Sequence, residues 1–201
     1  FTEVISLLTD DPEFVREAMR IQGELISKFL DTVLQEMDVD AVLFSEPIGG
    51  NSGPLLSPEM YEEYVLKSYP PIIEVSRKHG IDSIILRTYA NIRVLIPGIL
   101  KSGINCLWAC ETNSRDMDYR DLRNEFGRNL RLIGGIDLDT LRHDKHVIRR
   151  EMENKVLPLI GSGGYIPIAD GRVRKNIPFE NYAYYRRLLK EIIENKSRKQ
   201  F

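Results

Sequence analysis

Cysteine is scarce in this chain, and its placement excludes the chemistry that cysteine usually brings. The two cysteines among 201 residues, Cys106 and Cys110, fall inside one apolar run, with no CxxC pair and no disulfide-framework spacing. They read as small core residues and point to a reducing, cytoplasmic setting. Histidine is almost as sparse: His79 precedes a helix-ending glycine, His143 and His146 sit in a polar helix entrance, and none has metal-ligand spacing with a cysteine. An excess of one charge is also missing. With 28 basic and 30 acidic residues the net charge is −2, which gives no general attraction to nucleic acid or to an anionic membrane. No stretch approaches the ~20 apolar residues that cross a bilayer, and the amino terminus lacks the basic-then-apolar order of a signal peptide. There is no G-x-S-x-G elbow. The pairs Gly134-Gly135 and Gly163-Gly164 lack the context of a phosphate loop and read as close backbone turns.

What is present is a core-forming chain, 42% hydrophobic, with a regular alternation of elements. Asp10-Asp11-Pro12-Glu13 starts a helix with a capping carboxylate and an early proline, and apolar residues at helical spacing carry it to about Met37. Residues 39–44 form the first predicted strand, and 47–58 a loop rich in glycine and proline. Ser57-Pro58 opens the next helix, which Pro70-Pro71 interrupts or kinks before it ends at His79-Gly80. Strands follow at 83–86, 104–109, 130–133 and 165–169, with helices at 92–100, 118–126, 145–160 and 179–196 between and after them. About five β/α units in this order define the α/β class with a parallel sheet. Five are too few to close an eight-stranded barrel, and Phe1 is not an initiator methionine. The expectation is therefore an incomplete (β/α) barrel of the TIM type, with an open sheet as the other arrangement.

Every predicted strand ends in polar or charged residues, and in parallel α/β folds those ends converge on one face. Glu46, Glu111, Asp137 and Asp170 supply carboxylates there, and Arg87, Arg93 and Arg172 supply cations. In a partly dry pocket one carboxylate could hold a proton while an arginine anchors an anion. Tyr89 is the aromatic best placed to touch a ligand. Trp108 and the tyrosines at 182, 184 and 185 read as core packing. Arg174 is equivocal, and Lys175 reads as solvated.

The ordered motifs Leu43-Phe44-Ser45-Glu46, Gly53-Pro54, Leu56-Ser57-Pro58-Glu59-Met60-Tyr61, Ile133-Gly134-Gly135-Ile136-Asp137 and Gly163-Gly164-Tyr165-Ile166-Pro167 resemble the uroporphyrinogen decarboxylase superfamily. The resemblance runs from about Asp11 to the last helix, and it implies one domain over residues 1–201 that lacks the family's first third. It also implies a (β/α) barrel with its ligand at the strand ends, and a homodimer. The decarboxylases of this superfamily use no cofactor and a histidine after the last strand, where this chain has Gly171 after Asp170. Its cobamide-dependent methyltransferases bind zinc through a His-x-Cys pair, where this chain reads Arg87-Thr88-Tyr89. Guanidinium and phenol do not replace imidazole and thiolate around zinc, so no metal is expected.

The resulting expectation is a decarboxylase-type enzyme acting on a small carboxylate-bearing molecule. Glu46, Asp137 and Asp170 would manage protons, and Arg87, Tyr89, Arg93, Glu111 and Arg172 would hold the substrate. The alternatives are zinc-free methyl transfer to a corrinoid protein, or a ligand-binding relative without catalysis.

Overall fold

The computed structural model describes residues 2–110 and 115–197. Helix α1 (Thr2–Asp10), which the sequence reading does not anticipate, precedes α2 (Pro12–Glu36). Its nine residues are too few to build a persistent period. Asp11 caps α2 by accepting from the Phe14 N–H at 3.1 Å, with Pro12 in the first turn. Strand β1 (Ala41–Ser45) follows. The loop after it contains a small two-stranded sheet, β2 (Gly49–Gly50) and β3 (Gly53–Pro54). Helix α3 (Pro58–Tyr64) begins as the sequence predicts, with the Ser57 hydroxyl accepting from the Met60 N–H at 3.2 Å. Pro70-Pro71 start a separate helix, α4 (Pro70–Lys78), because a missing N–H leaves no bond unmade in a first turn.

Strand β4 (Ser83–Tyr89) reaches Tyr89 rather than ending at Leu86, so Arg87 and Tyr89 lie on the strand itself. Then come α5 (Ile96–Ser102), β5 (Cys106–Cys110) and α6 (Tyr119–Phe126). They are followed by β6 (Arg131–Ile136), α7 (Lys145–Ile160), β7 (Tyr165–Ala169) and α8 (Phe179–Ser197). The main sheet has five strands in the order β1-β4-β5-β6-β7, and β5-β6 and β6-β7 pair in parallel. Sequential strands joined by helices make this the expected α/β fold. The register aligns Trp108 with Ile133 and Ile133 with Ile166, so these three residues share one face.

By contacts the chain forms two compact units. In the unit made of residues 1–44, 54–85 and 94–105, α2 packs on α4 and on the short 3-10 turn Leu66–Ser68. Gly23 permits this approach, since a Cβ there would lie 2.2 Å from the Ser68 carbonyl oxygen. The buried positions of α2 are Gly23, Ser27 and Leu34, while Leu25 and Phe29 are 65% and 70% exposed. Ile72, Ile73, Ile84, Ile99 and Ile104 form much of this unit's interior.

In the unit made of residues 45–53, 86–93 and 106–201, the core joins Ile136, Leu141, Ile148, Met152, Val156, Tyr185 and Leu188. Pro158 sits inside α7 and cannot donate to the Asn154 carbonyl four residues earlier. That carbonyl accepts instead from Arg120 Nη1 at 3.4 Å. Arg120 also pairs with Asp118, whose carboxylate caps α6 at the Arg120 N–H, 2.8 Å away.

Two stability predictions follow from these contacts. Gly23→Ala should lower the unfolding free energy by about 1–3 kcal/mol in denaturant melts, since a backbone oxygen must shift to admit the methyl group. Asp118→Ala should cost about 0.5–2 kcal/mol at neutral pH. Hydrogen bonding to Arg120 holds the Asp118 carboxyl below the usual range, so its contribution is present above the unfolded value and lost as pH falls. The difference between wild type and variant should therefore shrink below about pH 4.

Candidate functional site

The expected site residues that can be placed all belong to the second unit, at or just beyond the carboxyl ends of strands. Strand β4 delivers Arg87 and Tyr89, two residues apart and so on one face. Arg87 Nη2 donates to the Tyr89 hydroxyl at 3.1 Å. The Arg87 guanidinium carbon also lies 5.1 Å from the ring centroid of Trp108 on β5 and 5.7 Å from that of Tyr89. Trp108, expected in the core, is thus half-buried against a cation. No carboxylate forms an ion pair with Arg87 among the described residues.

Beyond β6 and β7 a cavity of about 220 Å³ is lined by Asp137, Asp139, Asp170, Arg172, Arg174 and Asn51, among others. Three of the expected residues, Asp137, Asp170 and Arg172, therefore share one space. Asp170 is 4% exposed, and its Oδ1 accepts from the Gly135 N–H at 3.2 Å. Asp137 is half-buried and accepts from the Asp139 N–H at 2.9 Å, which opens the turn after β6. Arg172 and Arg174 are exposed at the rim.

The glycine pair in β6 makes room for this arrangement. Gly134 and Gly135 have φ of +110° and +81° within the strand, where the sequence reading expects a turn. A Cβ on Gly134 would come 2.9 Å from Asp170 Oδ1, and one on Gly135 would come 2.7 Å from the Tyr119 ring. The Tyr119 hydroxyl occupies the space, accepting from the Ala109 N–H at 3.0 Å and donating to the Ile133 carbonyl at 2.7 Å. Burial foremost, and then Asp170, keep this phenol well above its ordinary range, so it remains a neutral donor.

Cys110, read from the sequence as core, ends β5 between the two groups of residues. The Arg87 side chain and the Gly171 backbone both contact its thiol and favour the thiolate, while burial and Asp170 oppose them. Burial is the largest influence and leaves the thiol raised, so Cys110 stays protonated at neutral pH. The position was legible in principle, because Cys110 ends its strand as Asp170 follows the end of β7.

The other expected residues are placed differently. The Glu46 N–H donates to the Arg87 carbonyl at 2.9 Å, which brings half-buried Glu46 beside β4. Arg93 is committed elsewhere: its guanidinium donates to the Asp116 carbonyl at 2.8 Å and pairs with Glu125. Arg93 does not line the cavity, and neither do Arg87, Tyr89 or Glu46. Glu111 lies outside the described residues. Among the described residues no group of three or more His, Cys, Asp or Glu side chains is placed to hold a metal ion. The donors at the end of β4, a guanidinium and a phenol, do not suit zinc. No helix among the described residues is long and apolar enough to cross a membrane.

A five-stranded β/α sheet with carboxylates and guanidinium groups at its strand ends is an α/β fold consistent with part of a (β/α) barrel. The family model for uroporphyrinogen decarboxylase (URO-D) matches residues 1–191, and the chain belongs to that family. No curated protein matches the chain.

The thiols give a direct check of this geometry. Burial pushes Cys106 up to about 11 and raises Cys110 as well. With an aromatic disulfide reagent at pH 7, both should react slowly in the native protein and promptly in denaturant. Prompt native reaction of either thiol would contradict the described packing.

Proposed function

We propose that the protein binds a small carboxylate-bearing molecule at its strand ends, reaching from Arg87 on β4 to the cavity beyond β6 and β7, and removes a carboxyl group from it. The observation that carries this reading is Arg87, a half-buried guanidinium with two aromatic contacts and no carboxylate partner among the described residues. Charges held away from water are normally paired, so an uncompensated one at a strand end is a seat for an anion. Arg172 at the rim offers a second cation. Membership of the family supports a decarboxylase-like reaction.

In such a reaction the C–C bond breaks, CO2 leaves, and the electron pair stays on carbon until a proton arrives. The guanidinium of Arg87 would stabilise the charge on the part of the substrate that remains. Asp137 or Asp170 would relay that proton from solvent to the carbon. Asp170 is the better placed, since a 4% exposed carboxyl beside the Tyr119 phenol and Cys110 thiol is shielded from bulk water. A cavity of about 220 Å³ supports a ligand smaller than the usual drug-sized molecule. Free, buried cysteines support a reducing compartment. Methyl transfer to a corrinoid protein is the second reading, and no particular contact favours it.

The test is CO2 release from a panel of small di- and tricarboxylates. For the substrate found, Arg87→Ala should lower kcat/KM by about 10- to 100-fold, the worth of a charged hydrogen bond. Asp170→Asn should lower kcat with little change in KM. An Arg87→Ala protein with unchanged turnover would refute the assignment.

A further inference from the structure

Among the described residues the contacts that hold Arg87 come from aromatic rings rather than from an ion-paired carboxylate, and the nearer ring is the indole of Trp108. Two N–H groups there are buried without an acceptor: Arg87 Nε and Trp108 Nε1. A buried donor left unmade is costly, so what this indole contributes is its π face and not its hydrogen bond. A guanidinium is planar and weakly hydrated, which lets it stack on such a face and keep its full charge. Tyr89 adds a hydrogen bond at 3.1 Å from the same strand, so the side chain is held from two directions by groups that carry no formal negative charge.

Resting on the carboxylate reading above, we infer that Trp108 is the positioning residue of the anion site. It fixes Arg87 in place beside Cys110 without neutralising it. A small carboxylate that reaches the end of β4 then meets a cation already ordered, and the cost of ordering a long side chain does not fall on binding. The ring acts through Arg87 and does not touch the reacting atoms. As the only tryptophan in the chain, Trp108 also reports optically on its own surroundings.

Collisional quenching of the tryptophan emission by iodide and by caesium tests this on the full chain, with no substrate needed. A guanidinium at the indole attracts the anionic quencher and repels the cationic one. With each quencher scaled to its effect on free N-acetyltryptophanamide, iodide should therefore quench wild type several-fold more strongly than caesium, and Arg87→Gln should bring the two scaled values close to equality. Arg87→Lys, which keeps the charge, should retain most of the difference.

Equal scaled quenching in wild type, or a scaled preference that survives Arg87→Gln, would overturn the role of Trp108 and leave the carboxylate reading standing. Malonate, used as the probe, should suppress iodide quenching in wild type and not in Arg87→Gln. An iodide preference that malonate does not suppress would uphold the contact and count against the carboxylate reading.

Calorimetric titration with malonate separates positioning from packing. Trp108→Phe keeps a π face and should bind within about threefold of wild type, while Trp108→Leu should bind about tenfold more weakly. Equal affinity in the two variants would overturn the inference.

Discussion

A half-buried guanidinium with no ion-paired carboxylate among the described residues is the constraint on which the proposed site depends. Arg87 is carried by β4, braced by the phenol of Tyr89 and by the indole of Trp108 on β5, and its side chain contacts the Cys110 thiol. These contacts hold the charge in position without cancelling it. Arg93 shows the contrast. It pairs with Glu125 and with the Asp116 carbonyl, and its charge is spent on fixing the chain after β4 to α6.

On the far side of Cys110 the geometry is set by glycine. Asp170 and Tyr119 each occupy space that a side chain on β6 would fill, and the backbone of Gly134 and Gly135 takes positive φ to allow it. Two consecutive glycines in mid-strand weaken the strand by themselves. The Tyr119 hydroxyl compensates by tying the Ala109 N–H of β5 to the Ile133 carbonyl of β6. The same residues that loosen β6 thus admit a nearly buried carboxylate at its edge, and the phenol that restores the tie is the neutral neighbour of that carboxylate.

Much of the fold was legible because its signals are local. Asp11 and Ser57 cap the helices that their residue types announce, and β7 occupies the residues its apolar run marks out. Element ends were harder where a strand carries polar residues. Reading β4 to Leu86 follows from hydropathy, and the strand continues because Arg87 and Tyr89 point to a face that hydropathy does not describe. Asp137, Asp170 and Arg172, marked out in the sequence by their place after strands, share a cavity. Trp108 and Cys110 were missed because apolar residues inside an apolar run look like core. Only the neighbouring strand reveals that one is stacked on a cation and the other touched by it.

Anomalous diffraction from crystals soaked in bromomalonate would test the central claim most directly. The account predicts a bromine peak at the strand ends, with the ligand's carboxylate oxygens at hydrogen-bond distance from the Arg87 guanidinium. Bromine found only beside exposed lysines, with Arg87 bare or turned away from Trp108, would contradict it.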